Sequence, residues 1–479
     1  MSKPGSDAEV AALEAVSARL GIDRRHLRPP KGAERKHFGV PSVVAQCRHF
    51  NPFRDEALPE GFDPDTTRRA LKLYAQPQWQ EARDKGRDAF FDGGRARYYS
   101  PLDGAKLLSL GSIFGRRFDY HLLDGPHLRI LLTLGASAYG IYYPDRNVML
   151  HLTAYEEKRG GIMLPLVSLL LGNWRQLGDW IAAADRGLLK RSFVIADNRP
   201  AHFLTQTLGF VDSCWPTVER FQADGNVVAV ARDWCFVDPV KVFPELRKGA
   251  LLSARADQLP QLCLDLRMSM QRVARVNAFK SVNWVKRVAP DTRGEEGVRP
   301  FAVWIAIDAE KERFLNQVPA IAALIDMLAG EGRPLKIIWD GWTAIEGQWS
   351  EKDQRIVDRI DAITAQIAAQ AGSPFEQDRI YGRTFEYKLG RTAQCDLALA
   401  THGTASIMPS IIRNVPTVTY HVPKVMALTG YAEEGNWFPV AQDGISLGPI
   451  VAKIDHEQAF TVAQDRLIDA AERALAVKR

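Results

Sequence analysis

A chain of 479 residues is longer than one ordinary core can serve and fits two or three domains. Hydrophobic residues make up 46% and charged residues 25%, which excludes a disordered or fibrous chain. The formal net charge of +5 is too small at this length to make nucleic acid the main partner, whereas anionic small ligands remain compatible with it.

The first residues, MSKPGSDAEV, lack an apolar core followed by a cleavage site, so they do not read as a secretory signal. Ser6-Asp-Ala-Glu9 forms a capping box, and Val10, Leu13, Val16 and Leu20 follow at helical spacing until Gly21. Arg24, Arg25, Arg28, Lys31, Arg35 and Lys36 then mark a basic, irregular stretch, and a polar Pro/Gly region runs through Asp65. No strongly apolar helix face accompanies these charges, so they read as a solvated extension. Cys47, Cys214, Cys235, Cys263 and Cys395 are odd in number and form no C-x-x-C pair, which points to reduced thiols in the cytoplasm. The longest oily run, Ile162 to Leu171, is broken by Pro165 and Ser168 and falls short of the roughly 20 residues a bilayer requires.

From Arg129 short apolar runs alternate with helical segments. RILLTL, YGIYY and NVMLHL precede a helical stretch and SFVIAD; a helix near Pro200 to Leu208 leads to NVVAVA. This alternation predicts an α/β layer. Gln258 to Arg287 reads as a helix-rich connector, and the polar stretch from Ala289 to Pro300 as an interdomain linker. In the second half, a strand at Phe301 to Ile307 is followed by a stripe of Val318, Ile321, Leu324, Ile325 and Leu328. LKIIWDG, RIYG, DLALA and PTVTYH supply further strands, and Ser350-Glu-Lys-Asp353 caps a helix whose face is Ile356, Ile360, Ile363 and Ile367. Such an order predicts a mostly parallel, doubly wound sheet.

Ligands bind beyond the carboxyl ends of strands in open α/β sheets, so strand ends carry the candidates. The run Asp396 to Ser410 places a strand end at Thr401 and a helix start after Gly403, with Thr404 or Ser406 available as cap. Free amides and the positive end of the helix dipole suit a diphosphate, and Gly403 permits close approach of a phosphate. A plain βα turn, with His402 a satisfied interior histidine, accounts for the same string equally well. Arg313 follows the first strand and Asp340-Gly341 end the second. In the first half SFVIAD ends at Asp197, Arg199-Pro200 opens a helix bearing His202, and Glu156-Glu157 follow NVMLHL. Asp197, His202, Glu156 and Glu157 are the candidates for a catalytic base, although a lone carboxylate or histidine is more often structural.

The stretch DLALATHGTASIMPSIIRNVPTVTYH resembles the donor-binding portion of GT-B glycosyltransferases of bacterial surface polysaccharide synthesis, with its strand, H-G-[ST/A] turn, helix, N-x-P turn and strand. The string Arg199-Pro-Ala-His202-Phe is similar to a motif of such enzymes. The resemblance covers about the last 180 residues, more faintly the domain before, and nothing before about residue 125. It implies two Rossmann-like doubly wound domains, 126–290 for the acceptor and 298–479 for the donor, behind an N-terminal, partly helical extension at 1–125. It further implies a nucleotide-sugar donor held by His402, Gly403, Thr404 and Ser406 and a saccharide or glycolipid acceptor. Arg313 resembles a cationic residue that such families place near the phosphates, or is a solvated residue opening the next helix, and Asp340 and Gly341, at their strand end, meet the nucleotide or just form the turn. A glycolipid acceptor would bring a cytoplasmic enzyme into peripheral contact with the inner face of a membrane.

Retaining enzymes of that fold often show an E-x7-E pattern, and Gln394 stands where it would continue from Glu386, which favours inversion. The string Asp63-Pro-Asp65 does not follow a buried strand, so no metal-bridged diphosphate is expected, and no cofactor. A sugar-nucleotide epimerase of similar fold and a non-catalytic nucleotide-sugar-binding protein are the alternatives. A dehydrogenase lacks its G-x-G-x-x-G after a strand, since Gly135 to Gly140 has the wrong spacing, and a serine hydrolase lacks its G-x-S-x-G elbow.

Overall fold

The computed structural model describes residues 7–54, 58, 60–74, 78–134, 137–153, 159–272, 282–288, 299–330, 332–345, 347–401, 404–413, 415–420, 437–439, 452–454 and 457–476. The chain is mixed α/β with parallel sheets. It divides into two compact units: Met1–Asp197 with Ser213–Trp234 and Phe243–Phe279, and Asn198–Asp212 with Cys235–Val242 and Lys280–Arg479.

In the first unit the helix Asp7–Leu20 buries Leu13, Val16 and Leu20, the stripe its spacing predicts. Gly21, at φ +68°, turns the chain out of it. A seven-stranded sheet is built from β1 (Arg48–Phe50), β2 (Arg97–Tyr99), β3 (Lys106–Ile113), β4 (Asp119–Asp124), β5 (Arg129–Leu134), β6 (Ser137–Tyr143) and β7 (Val148–His151). The segment before residue 125, expected to be partly helical, thus also carries four strands. The order is β1-β7-β6-β5-β4-β3-β2, antiparallel throughout except for the β1–β7 pair.

The parallel layer expected from RILLTL, YGIYY and NVMLHL is therefore corrected to an antiparallel meander. The links between these strands are too short for a parallel crossover, which needs a dozen or more residues. Both faces of the meander are covered. Tyr120, Leu122, Ile130, Leu132 and Met149 enter one core, while Leu123, Leu131, Ile141, Val148 and Leu150 enter another. Burial on both faces gives each strand the continuous apolar run of a parallel one.

The same unit holds a four-stranded, wholly parallel sheet of β8 (Lys190–Ile195), β9 (Val227–Ala231), β10 (Ala250–Ala254) and β11 (Met268–Arg272), in the order β10-β9-β8-β11. The helix-rich connector expected after Gln258 is only partly helical: Leu259–Asp265 is a helix, and β11 follows it. Met-Ser-Met-Gln-Arg has no β-branched residue, so its strand state comes from pairing with β8 rather than from propensity.

The second unit has a six-stranded sheet of β12 (Phe301–Ala306), β13 (Leu335–Asp340), β14 (Glu376–Arg379), β15 (Leu397–Thr401), β16 (Thr417–Tyr420) and β17 (Trp437–Pro439). Every pair is parallel, in the order β14-β13-β12-β15-β16-β17. The strand expected at RIYG lies earlier, sharing only Arg379, because Gly382 sits at φ +71° in the turn that follows. Val303, Ile305, Ile337, Leu399 and Val418 pack with Ile321 and Ile325 of the helix Gln317–Ala329, Ile356 and Ile360 of Glu351–Gln370, and Leu467 of Gln464–Ala476. The capping box at Ser350 and Asp353 is formed in both directions. From β12 the chain builds outward through β13 and β14, then returns to the other side of β12 with β15. The sheet's topological switch therefore lies between β12 and β15.

Candidate functional site

A cleft of about 710 Å³ opens in the second unit beyond the carboxyl ends of β12, β13 and β15. Strand direction explains its position: a parallel sheet delivers every strand end to one edge, and a switch in strand order leaves a crevice there. Asp308, Arg313, Asp340, Gly341 and Thr401 line it from the strand ends. Trp304, Phe236, Trp342 and Phe385 supply apolar and aromatic surface, and Pro200, Ala201 and Leu204 reach it from the segment 198–212 of the same unit.

The loop after β12 is folded around Asp308. Its carboxylate accepts hydrogen bonds from the amides of Arg313 (2.9 Å) and Phe314 (3.2 Å), and Arg313 Nε lies 3.8 Å away. This holds the Arg313 side chain, only 15% exposed, against the cleft. It is neither the freely solvated residue nor the helix opener that its place in the sequence allowed. The helix starts later, at Gln317, after Asn316 has tied itself to the amide and carbonyl of Val462.

Asp340 ends β13 and pairs with the ammonium of Lys388, which is fully buried. Lys388 also donates to Trp342 O (2.7 Å) and to Thr343 Oγ1 (2.9 Å), so its three protons are all used. Burial pushes the ammonium below its usual range, while Asp340 pulls it back upward. Gly341 follows at φ +150°, and a Cβ there would lie 2.7 Å from Ile307 O. Glycine is needed because the ends of β12 and β13 meet backbone to backbone, Ile307 N donating to Asp340 O at 2.9 Å.

Asp353 joins the site from the capping box. Trp342 Nε1 donates to it at 2.7 Å, Lys352 lies over the Trp342 ring at 5.2 Å from its centroid, and Glu310 accepts from Lys352 at 2.7 Å. Burial pushes the Asp353 carboxyl up, but the hydrogen bonds from Ser350 and Trp342 outweigh it and hold it below the usual carboxylate range. Trp304 lies on β12 with its indole N–H buried and, among the described residues, without a hydrogen-bond acceptor. A donor in that position, lining a cleft, is suited to an acceptor atom on a ligand.

Of the residues singled out in the sequence, Arg313, Asp340 and Gly341 meet in this cleft. Thr404 begins the short helix Thr404–Ser406, and Ala405, Ile407 and Met408 are the residues of that segment that line the cleft; Ser406 is fully buried. His402, Gly403, Glu156 and Glu157 lie outside the described residues. Asp197 follows β8 in the first unit and is 1% exposed. His202 closes the one-turn helix Pro200–His202, with Nδ1 2.8 Å from Gln206 Oε1. A carboxamide oxygen only accepts, so Nδ1 carries the proton and Nε2 is the ring's basic nitrogen. Pro200 and Ala201, rather than His202, line the cleft among the described residues.

Sequence reading missed Lys388, Trp304 and Asp308, and took Asp353 for a cap alone. Asp308 is reachable by the strand-end rule carried two residues further. Trp304, in the middle of a strand, has no such signal, and Lys388 in FEYKLGR looks like a surface charge. Glu386, two residues before it, accepts from Asp238 N (3.4 Å) and Lys241 Nζ (3.3 Å) in the same unit.

No family model and no curated protein matches the chain. Among solved structures it is similar to a UDP-forming α,α-trehalose-phosphate synthase from Burkholderia xenovorans, at 12% identity over 69% of this chain and 80% of that one, with a TM-score of 0.29. A likeness of that size supports no inference about site or activity.

Proposed function

We propose that the second unit holds a nucleotide-sugar donor in this cleft and that the chain is a glycosyltransferase, passing the sugar to a saccharide or glycolipid acceptor with inversion and without a metal ion. The observation that carries the reading is the placement of the cleft at the switch point of an all-parallel sheet. Counted within the unit its strands run 3-2-1-4-5-6, the order of doubly wound dinucleotide-binding sheets, whose ligands lie in that crevice. Its volume falls in the range of small-molecule sites, roughly 300–1,000 Å³.

The chemistry of the lining fits the parts of such a donor. Arg313 suits the diphosphate, together with amides at the start of the segment Thr404–Ile412 and the His402-Gly403 turn that the family resemblance implies. The Trp304 N–H and the aromatic faces suit the base or sugar. Asp308, Asp340 and Asp353 are already held by Arg313, Lys388 and Trp342, which favours neutralisation of the phosphates by Arg313 and amides over a carboxylate-bound cation. In this reading 298–479 is the donor domain, 126–290 serves the acceptor, and His202, Asp197, Glu156 or Glu157 takes the acceptor proton.

The test is thermal stability against a panel of nucleoside diphosphates and their sugars, with a chelator present. A ligand at a hundredfold excess over its dissociation constant adds about 2.7 kcal/mol. One base is expected to stabilise the protein without metal and to lose its effect in Arg313→Ala. No stabilisation by any of them at millimolar concentration would refute the reading, and turnover of the nucleotide sugar with no acceptor present would favour an epimerase.

A further inference from the structure

The first unit has a cavity of its own, about 360 Å³, where β3, β4 and β11 meet. Ser112 and His121 stand directly opposite each other on β3 and β4 and share a 2.7 Å hydrogen bond between Oγ and Nδ1. The other ring nitrogen, Nε2, is 3.0 Å from Thr133 Oγ1 on β5. Gln271 of β11 brings its carboxamide beside the hydroxyl, with Oε1 3.4 Å from Ser112 Oγ. This polar chain sits on the face of the meander that also carries Leu107, Leu123, Leu131 and Ile141. Burying a histidine there is costly unless both nitrogens are satisfied, and both are, by hydroxyls.

We propose that Ser112 and His121 form a nucleophile and base pair that cleaves small, polar acyl esters in this cavity. A hydroxyl within hydrogen-bond reach of a base whose far side is oriented by a third group is the arrangement that activates serine. The 2.7 Å contact is the length of an O–H···N bond, so Ser112 donates to Nδ1 and Nε2–H donates to Thr133. Burial pushes the His121 imidazolium down, with Asp119 opposing, so the ring is neutral and able to accept a proton at pH 7. Thr133 is a positioning residue: it fixes the ring's tautomer and does not touch the substrate.

In the first step Oγ bonds to the ester carbonyl carbon as its proton passes to His121 Nδ1. The carbonyl oxygen becomes an oxyanion, which Gln271 can serve only by turning its Nε2 toward Ser112 in place of the Oε1 that accepts there now. Collapse breaks the carbon–oxygen bond to the alcohol, which leaves with the proton from His121. Water then repeats the sequence on the acyl-serine and frees the carboxylic acid.

The lining sets the substrate class. Ser109, Ser269, Asn226 and Tyr98 make the cavity polar, and Arg95 and Arg191 favour an alcohol portion carrying negative charge. A long acyl chain finds neither the room nor the apolar wall it would need, which leaves acetyl-sized groups. The serine stands on a strand just after the bulge between Ser109 and Gly111 and not in a G-x-S-x-G elbow, which is why no sequence motif announces it.

The test uses the full-length chain, a fluorophosphonate and p-nitrophenyl acetate, and is independent of any nucleotide binding. The expected result is one phosphonyl group per chain, mapped by mass spectrometry to Ser112, and ester turnover abolished in Ser112→Ala. His121→Gln should lower turnover and labelling about 10²–10⁴-fold. Thr133→Val should lower kcat with KM unchanged, a split that loss of a packing role alone would not give. If Ser112→Ala fails to fold, the label on the unaltered chain and in His121→Gln still decides. A folded protein whose Ser112 stays unmodified, or equal turnover in Ser112→Ala, overturns the proposal.

Discussion

Replacing Asp340 with alanine should be among the most damaging single changes in the second unit. Lys388 is fully buried, and the carboxylate is the only charge among the three acceptors of its ammonium. Taking the carboxylate away leaves a buried cation on two neutral oxygens, which typically costs about 3–5 kcal/mol. Lys388→Met should cost less, about 1–3 kcal/mol, because the stranded carboxylate borders the cleft and can be reached by water. The double variant should return to within about 2 kcal/mol of the original, since an apolar pair of similar volume often replaces a buried ion pair without loss. Urea unfolding followed by tryptophan fluorescence measures all three, after checking with a second probe that the transition is two-state in a chain of two units. The pH dependence supplies a sign. The native ammonium titrates below its ordinary 10.5, so between that lowered value and 10.5 the unfolded chain holds a proton the native one lacks. In that window Lys388 makes stability rise with pH. Buried tyrosines such as Tyr420, pushed up by burial, act in the opposite sense above about 10, so the quantity to compare is the difference from Lys388→Met. A loss below about 1 kcal/mol in Asp340→Ala, or no difference in slope, would refute the reasoning.

Gly341→Ala should destabilise by about 1–3 kcal/mol and weaken nucleotide binding, because its Cβ would press on Ile307 O at a positive φ; calorimetry and titration check both. Ser350→Ala removes half of a capping box and should cost about 1 kcal/mol in urea unfolding while leaving any bound nucleotide's affinity within twofold. If His202 is the base, His202→Ala should lower kcat about 10²–10⁴-fold with donor affinity unchanged. A fall in melting temperature with kcat preserved would instead show a helix-packing role through Gln206.

How much was legible in the sequence follows from what each signal depends on. The second sheet was largely readable because its strands are apolar runs separated by helices with clear stripes and a capping box, all local features. The meander was misread as parallel because burial on both faces erased the alternation that marks an antiparallel sheet. β11 escaped because its state is imposed by a neighbour, β8, that lies far from it in sequence. Within the cleft, Arg313, Asp340 and Gly341 could be found because they follow strand ends. Trp304 and Phe236 could not, nor could Lys388, buried against Asp340, since each is brought there by packing that no local pattern encodes. His202 shows the reverse limit: the string that drew attention to it lies in a segment that lines the cleft, but the lining residues are its neighbours Pro200, Ala201 and Leu204.

That segment and Thr404–Ile412, which lines the same cleft, share a backbone device. Phe203–Thr207 and Ile407–Ile412 are both π-helical turns, and each puts residues on the cleft: Leu204 from the first, Ile407 and Met408 from the second. A π turn shifts each amide's bond from the fourth carbonyl back to the fifth, which widens the helix and re-aims its side chains. In both turns a hydroxyl takes up the carbonyl four residues back, Thr205 donating to Ala201 O and Ser410 to Ser406 O. Trp284 Nε1 further fixes the first turn by donating to Leu204 O at 2.9 Å. Both irregular turns line one cleft and are held by side-chain hydrogen bonds, and π turns are frequent at functional sites. Through these supports residues 200–207 and 404–412 hold Leu204, Ile407 and Met408 on the cleft wall despite the irregular backbone beneath them.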